Sequence, residues 1–401
     1  MAVQEYPAPE SVSRLQTRAF GVGAIALLLA IYGAVHSPQT FFASYLMSFL
    51  LVLGLALGSL GLVMLQHLTS GHWGIVIRRP LESATRTLPL LAIAFLPIAI
   101  FGMRYLYNGH GDDKGWLNAP ASGEGALSAF QKSYLTHNGY LIRAVIYFAV
   151  WLALMFIFNV LSKQQDVDRT DRVLRQRFKV LAGPGIILYV FAMSFAAIDW
   201  VMSISPHWAS TIYGFIFVGG QLISSMSFMI AVVVLLARAE PLSGILQPRH
   251  LHDLGKLLLA FVMLWAYFDF SQLLIIWSGN QPEEISFYRT RLYGEWGIVA
   301  LIVVIFHFFV PFFLLLSQDV KRRAQIISKI AMWLILMRLV DLFWMTRPEF
   351  TPSAVPSWLD LVLPIALGGL WLGFFAFNLK QCPLLPLGDP DLAEAIKNHE
   401  H

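Results

Sequence analysis

Asp199, Asp269 and Asp341, together with Arg104, Arg143, Arg338 and His307, stand inside stretches that are otherwise apolar. A charge near the centre of a bilayer costs about 2.5–3.5 kcal/mol on insertion scales, so it is kept for a partner or a function. Arg338 precedes Asp341 by three residues, which puts both on one helix face. His137 lies just before Arg143, and Glu295 opens a further apolar run. Ser271 and Gln272 follow Asp269. Such a set can move protons: Asp199, Asp269, Asp341 and His307 as carriers, with the guanidinium groups tuning them. Interhelical ion pairs of purely structural value are the other reading of the same charges. His307 has its own bland reading, a single interhelical hydrogen bond. Gln221, Ser224, Ser225 and Ser227 extend a polar path or simply allow close helix packing. His67 and His72 lie at a span boundary, where a path would begin.

The elements that must hold these residues are transmembrane helices. Apolar runs fall at about 19–36, 41–67, 86–107, 139–161, 183–203, 211–237, 256–278, 296–317, 328–346 and 357–379. Each is long enough to cross a ~30 Å hydrocarbon core at 1.5 Å per residue. The composition agrees: 57% of residues are hydrophobic and 13% charged, about half the charge of an ordinary soluble domain. The expected fold is all-α, with ten spans in a single polytopic domain over residues 1–401. Residues 1–18 and 380–401 are expected as tails, the latter with a short amphipathic helix at Asp389–His401. No cleavable signal peptide is expected, because the polar start leads into a run without a small-residue cleavage site.

Orientation follows from charge. Of 28 lysines and arginines, 20 lie in the N-terminus, the even-numbered loops and the C-terminus, and 5 in the odd-numbered loops. The densest basic loop is Asp166–Lys179, with Arg169, Arg172, Arg175, Arg177 and Lys179. The positive-inside rule then places both termini in the cytoplasm and the Asn108–Asn138 loop in the periplasm. Spans three, five, seven and nine run outward, and the three aspartates sit roughly 20–24 Å up the core. Those ends are helix C-termini, where a carboxylate is disfavoured unless a cation or a proton accompanies it.

Several chemistries are excluded. Cys382 is the only cysteine, so internal disulfides, Cys-ligated clusters and Cys-x-x-Cys-His haem attachment are out. Of 11 histidines only His307 is deep in a span, which argues against a membrane haem or a metal site. No nucleotide-binding fingerprint stands in a strand-turn-helix setting. The basic residues flank helices and form no groove-like patch, so nucleic acid is not a partner. Most of the 12 tryptophans lie near span ends, as interfacial anchors do.

Four stretches carry a family resemblance: Lys132–Arg143 (KSYLTHNGYLIR), Ser194–Trp208 (SFAAIDWVMSISPHW), Trp265–Gln272 (WAYFDFSQ) with Trp277–Glu284 (WSGNQPEE), and Arg338–Asp341 (RLVD). In order and helix placement they resemble the second quinone-binding membrane subunit of bacterial alternative complex III, a quinol:electron-acceptor oxidoreductase. That family is related to the NrfD-like membrane subunits of polysulfide and nitrite reductases. The resemblance implies two four-helix bundles, from spans two to five and six to nine, with spans one and ten peripheral. It implies a multi-pass subunit of the bacterial inner membrane with no redox centre of its own. Haem c and iron–sulfur clusters would lie in partner subunits, beside a paralogous NrfD-like subunit, with quinone or lipid as possible small ligands. Two other readings stay open. A secondary transporter would show matched helix breaks, and Pro97, Pro311 and Pro364 form no obvious pair. A structural subunit would suit Gly54, Gly58 and Gly61.

Overall fold

In the computed structural model the described residues are 6–110, 113–120, 122, 123, 125–167, 172–389 and 392. The described residues are all-helical in architecture, with one two-residue antiparallel ladder among them, β1 (Gly109–His110) with β2 (Asp113–Lys114). The helices are α1 (Glu10–His36), α2 (Pro38–Thr69), α3 (Arg78–Thr85), α4 (Leu88–Pro97), α5 (Met103–Leu106), α6 (Ala129–Tyr134), α7 (His137–Val167) and α8 (Arg172–Trp200). They continue with α9 (Tyr213–Leu236), α10 (Pro248–Gly279), α11 (Pro282–Leu292), α12 (Gly294–Val303), α13 (Val310–Leu316), α14 (Gln318–Arg322), α15 (Ala324–Thr346) and α16 (Leu359–Leu379).

Among the described residues, nine helical segments are long and apolar enough to cross a membrane. They match nine of the runs read from sequence, and α1 starts nine residues before the expected edge, inside the expected N-terminal tail. The remaining run is α15, a 23-residue helix. Any eighteen-residue stretch of it contains Lys329, Arg338 and Asp341, whereas the nine carry at most two charges in their apolar windows. Arg169 and most of the Asp389–His401 segment lie outside the described residues.

α2 and α9 form the interior of the fold. Both are apolar on every face and almost wholly buried, as such helices must be. Their backbones approach closely at Gly58, where a Cβ would fall 2.2 Å from the Gln221 carbonyl oxygen. The Ser59 and Ser225 hydroxyls meet across the same seam at 2.8 Å. α8, α10 and α15 pack around α9, and α1 lies along α16, which in turn packs on α2. The outward faces of the surrounding helices are apolar; Ile187, Leu188, Phe191 and Phe195 form one such row on α8. Rows of this kind are solvated by lipid, not by water.

Two spans carry a widened π turn. One covers Ile98–Gly102 directly after Pro97; the other covers Val304–Phe309 just before Pro311. Proline lacks the N–H that a helix needs, and Pro311 in particular leaves the His307 carbonyl without its usual donor. His307 is therefore set in a locally re-spaced turn, with its ring buried.

The connections sort to two ends. Residues near Gly109, Pro206, Phe287 and Glu349 line one cavity, so the third, fifth, seventh and ninth of the loops counted from sequence meet at one end of the molecule. At the other end Leu384 N–H bonds to the Tyr6 carbonyl at 2.9 Å, and Arg78 pairs with Asp389. The described parts near both termini thus share an end.

Candidate functional site

Two charge sites gather the aspartates singled out from sequence. The first joins α7 and α8. Arg143 grips Asp199 with two parallel hydrogen bonds, Nε to Oδ2 at 2.8 Å and Nη2 to Oδ1 at 2.9 Å. The Tyr147 hydroxyl donates to the same carboxylate at 2.7 Å. Arg143 also donates to the Tyr134 carbonyl at 2.9 Å and lies 3.9 Å over the Tyr134 ring. Asp199 is fully buried. One cation and one carboxylate in fork geometry, with a third donor in place, make a closed and formally neutral site.

The second site lies among α10, the π turn before α13, and α15. Arg338 and Asp341 are ion-paired along one face of α15, both buried. Asp269 of α10 is within electrostatic reach of both. Asp269 as a whole residue is half-buried, and its carboxyl makes no hydrogen bond or ion pair with the described residues. The site therefore holds two carboxyl groups and one guanidinium, and is one proton short of neutrality. Trp265, one turn before Asp269, packs edge-on against His307 with ring centroids 4.4 Å apart. The His307 ring nitrogens and Trp265 Nε1 are buried without a hydrogen-bond partner. The Met337 backbone lies beside the imidazole but does not meet hydrogen-bond geometry. Buried polar atoms rarely stay unpaired, and three gather here, with the imidazole within electrostatic reach of Arg338.

The other residues singled out from sequence are placed as follows. Gln272 is held by Ser210, which donates to it at 2.8 Å, and itself donates to the Tyr288 hydroxyl at 3.1 Å. Ser271 is half-buried and makes no side-chain hydrogen bond with the described residues. Glu295 is exposed and binds the Ser353 hydroxyl at 2.9 Å and the Ala354 N–H at 2.8 Å, tying α12 to the loop before α16. Arg104 is exposed and lies over the neighbouring Tyr105 ring, with no ion pair among the described residues. His137 is exposed at the start of α7. The structure thus joins Asp269, Asp341, Arg338 and His307, keeps Asp199 with Arg143 apart from them, and leaves Glu295, Arg104 and His137 at the surface. Among the described residues, no three metal-ligating side chains converge.

Sequence reasoning missed a third charged cluster at the opposite end. Glu82 accepts from Arg78 Nε at 3.1 Å, Arg79 Nη1 at 2.7 Å and the Ser162 hydroxyl at 2.6 Å. Arg78 also donates to Gln165 at 2.6 Å, and Arg79 pairs with Asp166. Arg78, Arg79 and Glu82 are buried. The only signal in the sequence was a carboxylate among arginines at the start of an apolar run. A fourth, at the end with the odd-numbered loops, joins Arg291 to Glu349 at 2.8 Å and to the Met345 carbonyl at 3.0 Å.

These features define an all-helical, multi-pass chain of membrane type with charge sites inside its helix bundle. No family model and no curated protein matches it.

Proposed function

We propose that this chain is a membrane subunit of a quinol:electron-acceptor oxidoreductase of the alternative complex III type, contributing a proton path or a scaffold beside the quinone. In this reading α15 is the tenth span. Spans two to five and six to nine form two four-helix bundles, and both termini face the cytoplasm of a bacterial inner membrane. The resemblance over Lys132–Arg143, Ser194–Trp208, Trp265–Gln272, Trp277–Glu284 and Arg338–Asp341 supports it. So does the charge bias between the loops. Haem c and iron–sulfur clusters belong to partner subunits.

The observation that carries the proton-path role is the unequal charge of the two interior sites. The Arg143–Asp199 site is balanced, and its carboxylate accepts three hydrogen bonds. The Asp269–Arg338–Asp341 site has one carboxyl in excess, beside His307 with both nitrogens unpaired. A group that takes up and releases a proton belongs in the second setting. A secondary transporter is the second reading, favoured by the π turns at Ile98–Gly102 and Val304–Phe309. Mild-detergent purification with identification of co-migrating chains separates the two. Multihaem and iron–sulfur partners are expected; a chain that purifies alone and moves a solute in vesicles would overturn the proposal.

A further inference from the structure

We propose that the turn between α10 and α11 binds one anionic phospholipid of the surrounding membrane. Two cavities adjoin there and share Asn280, Ile285 and Arg289. One, of about 520 Å³, has a mixed lining in which Ser286, Arg289 and Thr290 stand beside Pro282 and Ile285. The other, of about 230 Å³, is lined largely by apolar groups including Leu273, Ile276, Trp277 and Leu292. A mixed lobe and an apolar lobe meeting at one guanidinium have the layout of a headgroup and the start of an acyl chain.

The local chain makes this shape. α10 ends at Gly279, and Asn280 caps it with φ 50°, a left-handed conformation that asparagine tolerates. Pro282 then starts α11 on a new axis. α11 turns Phe287, Tyr288 and Arg291 inward. Arg291 is consumed by Glu349 and the Met345 carbonyl. Arg289 faces out, with no ion pair or side-chain hydrogen bond to the described residues. Trp277 and Tyr293 flank the apolar lobe, each 74% exposed. Aromatic rings so placed at a span end sit at headgroup level in a bilayer. The occupant is set by charge: an unpaired guanidinium between headgroup space and chain space selects an anionic lipid. One basic group near the surface favours such a lipid by about five-fold. The inference needs only the membrane setting and not the quinol reading.

The test uses the full-length chain in mild detergent with phosphatidylglycerol or phosphatidylcholine carrying brominated acyl chains, which quench nearby tryptophans. Wild type is expected to half-saturate at about five-fold less phosphatidylglycerol than phosphatidylcholine. Trp277→Phe should remove the part of the quenching that saturates at lower phosphatidylglycerol. Arg289→Gln should abolish the preference and Arg289→Lys should keep it, each at wild-type thermal stability because the side chain is exposed. Equal half-saturation by the two lipids in wild type, or a preference that survives Arg289→Gln, overturns the proposal.

Discussion

Arg338 is pressed against Gly220: a Cβ on that glycine would lie 2.2 Å from the guanidinium carbon. The missing side chain on α9 is what makes room for the cation of the second charge site. An arginine tip ordinarily swings away at little cost. Here it is buried and paired with Asp341, so moving it disturbs the ion pair. Gly220→Ala should therefore destabilise the protein by about 1–3 kcal/mol, as overpacking does. Thermal unfolding in detergent measures it, and an unchanged melting temperature would count against a tight Arg338 seat.

The pairing of α1 with α16 rests on a similar contact, this time between backbones. A Cβ on Gly23 would fall 2.7 Å from the Leu370 nitrogen, and one on Gly369 would fall 2.8 Å from the Gly23 Cα. Backbone atoms have nowhere to go. Gly23→Ala should loosen the two helices at a cost of about 1–3 kcal/mol. Gly21, with nothing within 4 Å of its would-be Cβ, is the internal control. Proteolytic susceptibility of the α1 segment should rise for Gly23→Ala and stay at the wild-type level for Gly21→Ala.

The first charge site predicts a non-additive pair. Arg143→Gln leaves the Asp199 carboxylate buried with the Tyr147 hydroxyl as its remaining side-chain donor among the described residues. Removing one member of a buried pair costs about 3–5 kcal/mol. Arg143→Gln with Asp199→Asn removes both charges and should recover a substantial part of that loss. Melting temperature and detergent-solubilised yield of the three variants would show it. A double variant worse than either single one would mean that the pair is not an isolated unit.

How far the sequence could be read depends on whether the deciding interaction is local. The nine apolar helices follow from length and hydropathy alone, and the Arg338–Asp341 pair follows from a three-residue spacing. Depth is countable, but the direction a side chain faces is not. Arg104 comes after the π turn at Ile98–Gly102, and each extra residue in a turn rotates the remainder of the helix by about 100°. Counting gave Arg104 the depth of the aspartates; the structure points it outward. Glu295 opens a helix as expected, yet its partners Ser353 and Ala354 are 58 and 59 residues away. The Arg78–Arg79–Glu82 cluster was hidden for the same reason. Read alone it resembles a solvated basic loop, and only Ser162 and Gln165 from α7 make it an interior network.

The second charge site separates two roles for its carboxyl groups. Asp341 is held by Arg338 on its own helix, whereas Asp269 is held by no hydrogen bond among the described residues. Asp269→Asn keeps size and polarity and removes a charge that has no direct partner, so fold and complex yield should be retained. On the proposed reading it should impair proton-coupled quinol oxidation, because an amide does not exchange a proton as a carboxyl does. Asp341→Asn should act on the other quantity. It leaves the buried Arg338 without its direct partner, which costs up to about 3–5 kcal/mol and lowers yield, less whatever the nearby Asp269 restores. The double variant tests that last clause. With both carboxyls gone, Arg338 is a buried cation with no carboxylate at the site, and yield should fall below that of Asp341→Asn alone. Quinol-oxidation rate and complex yield, measured for all three variants in native membranes, give the readout. Wild-type turnover for Asp269→Asn would remove the proton-carrier role and leave the chain a scaffold.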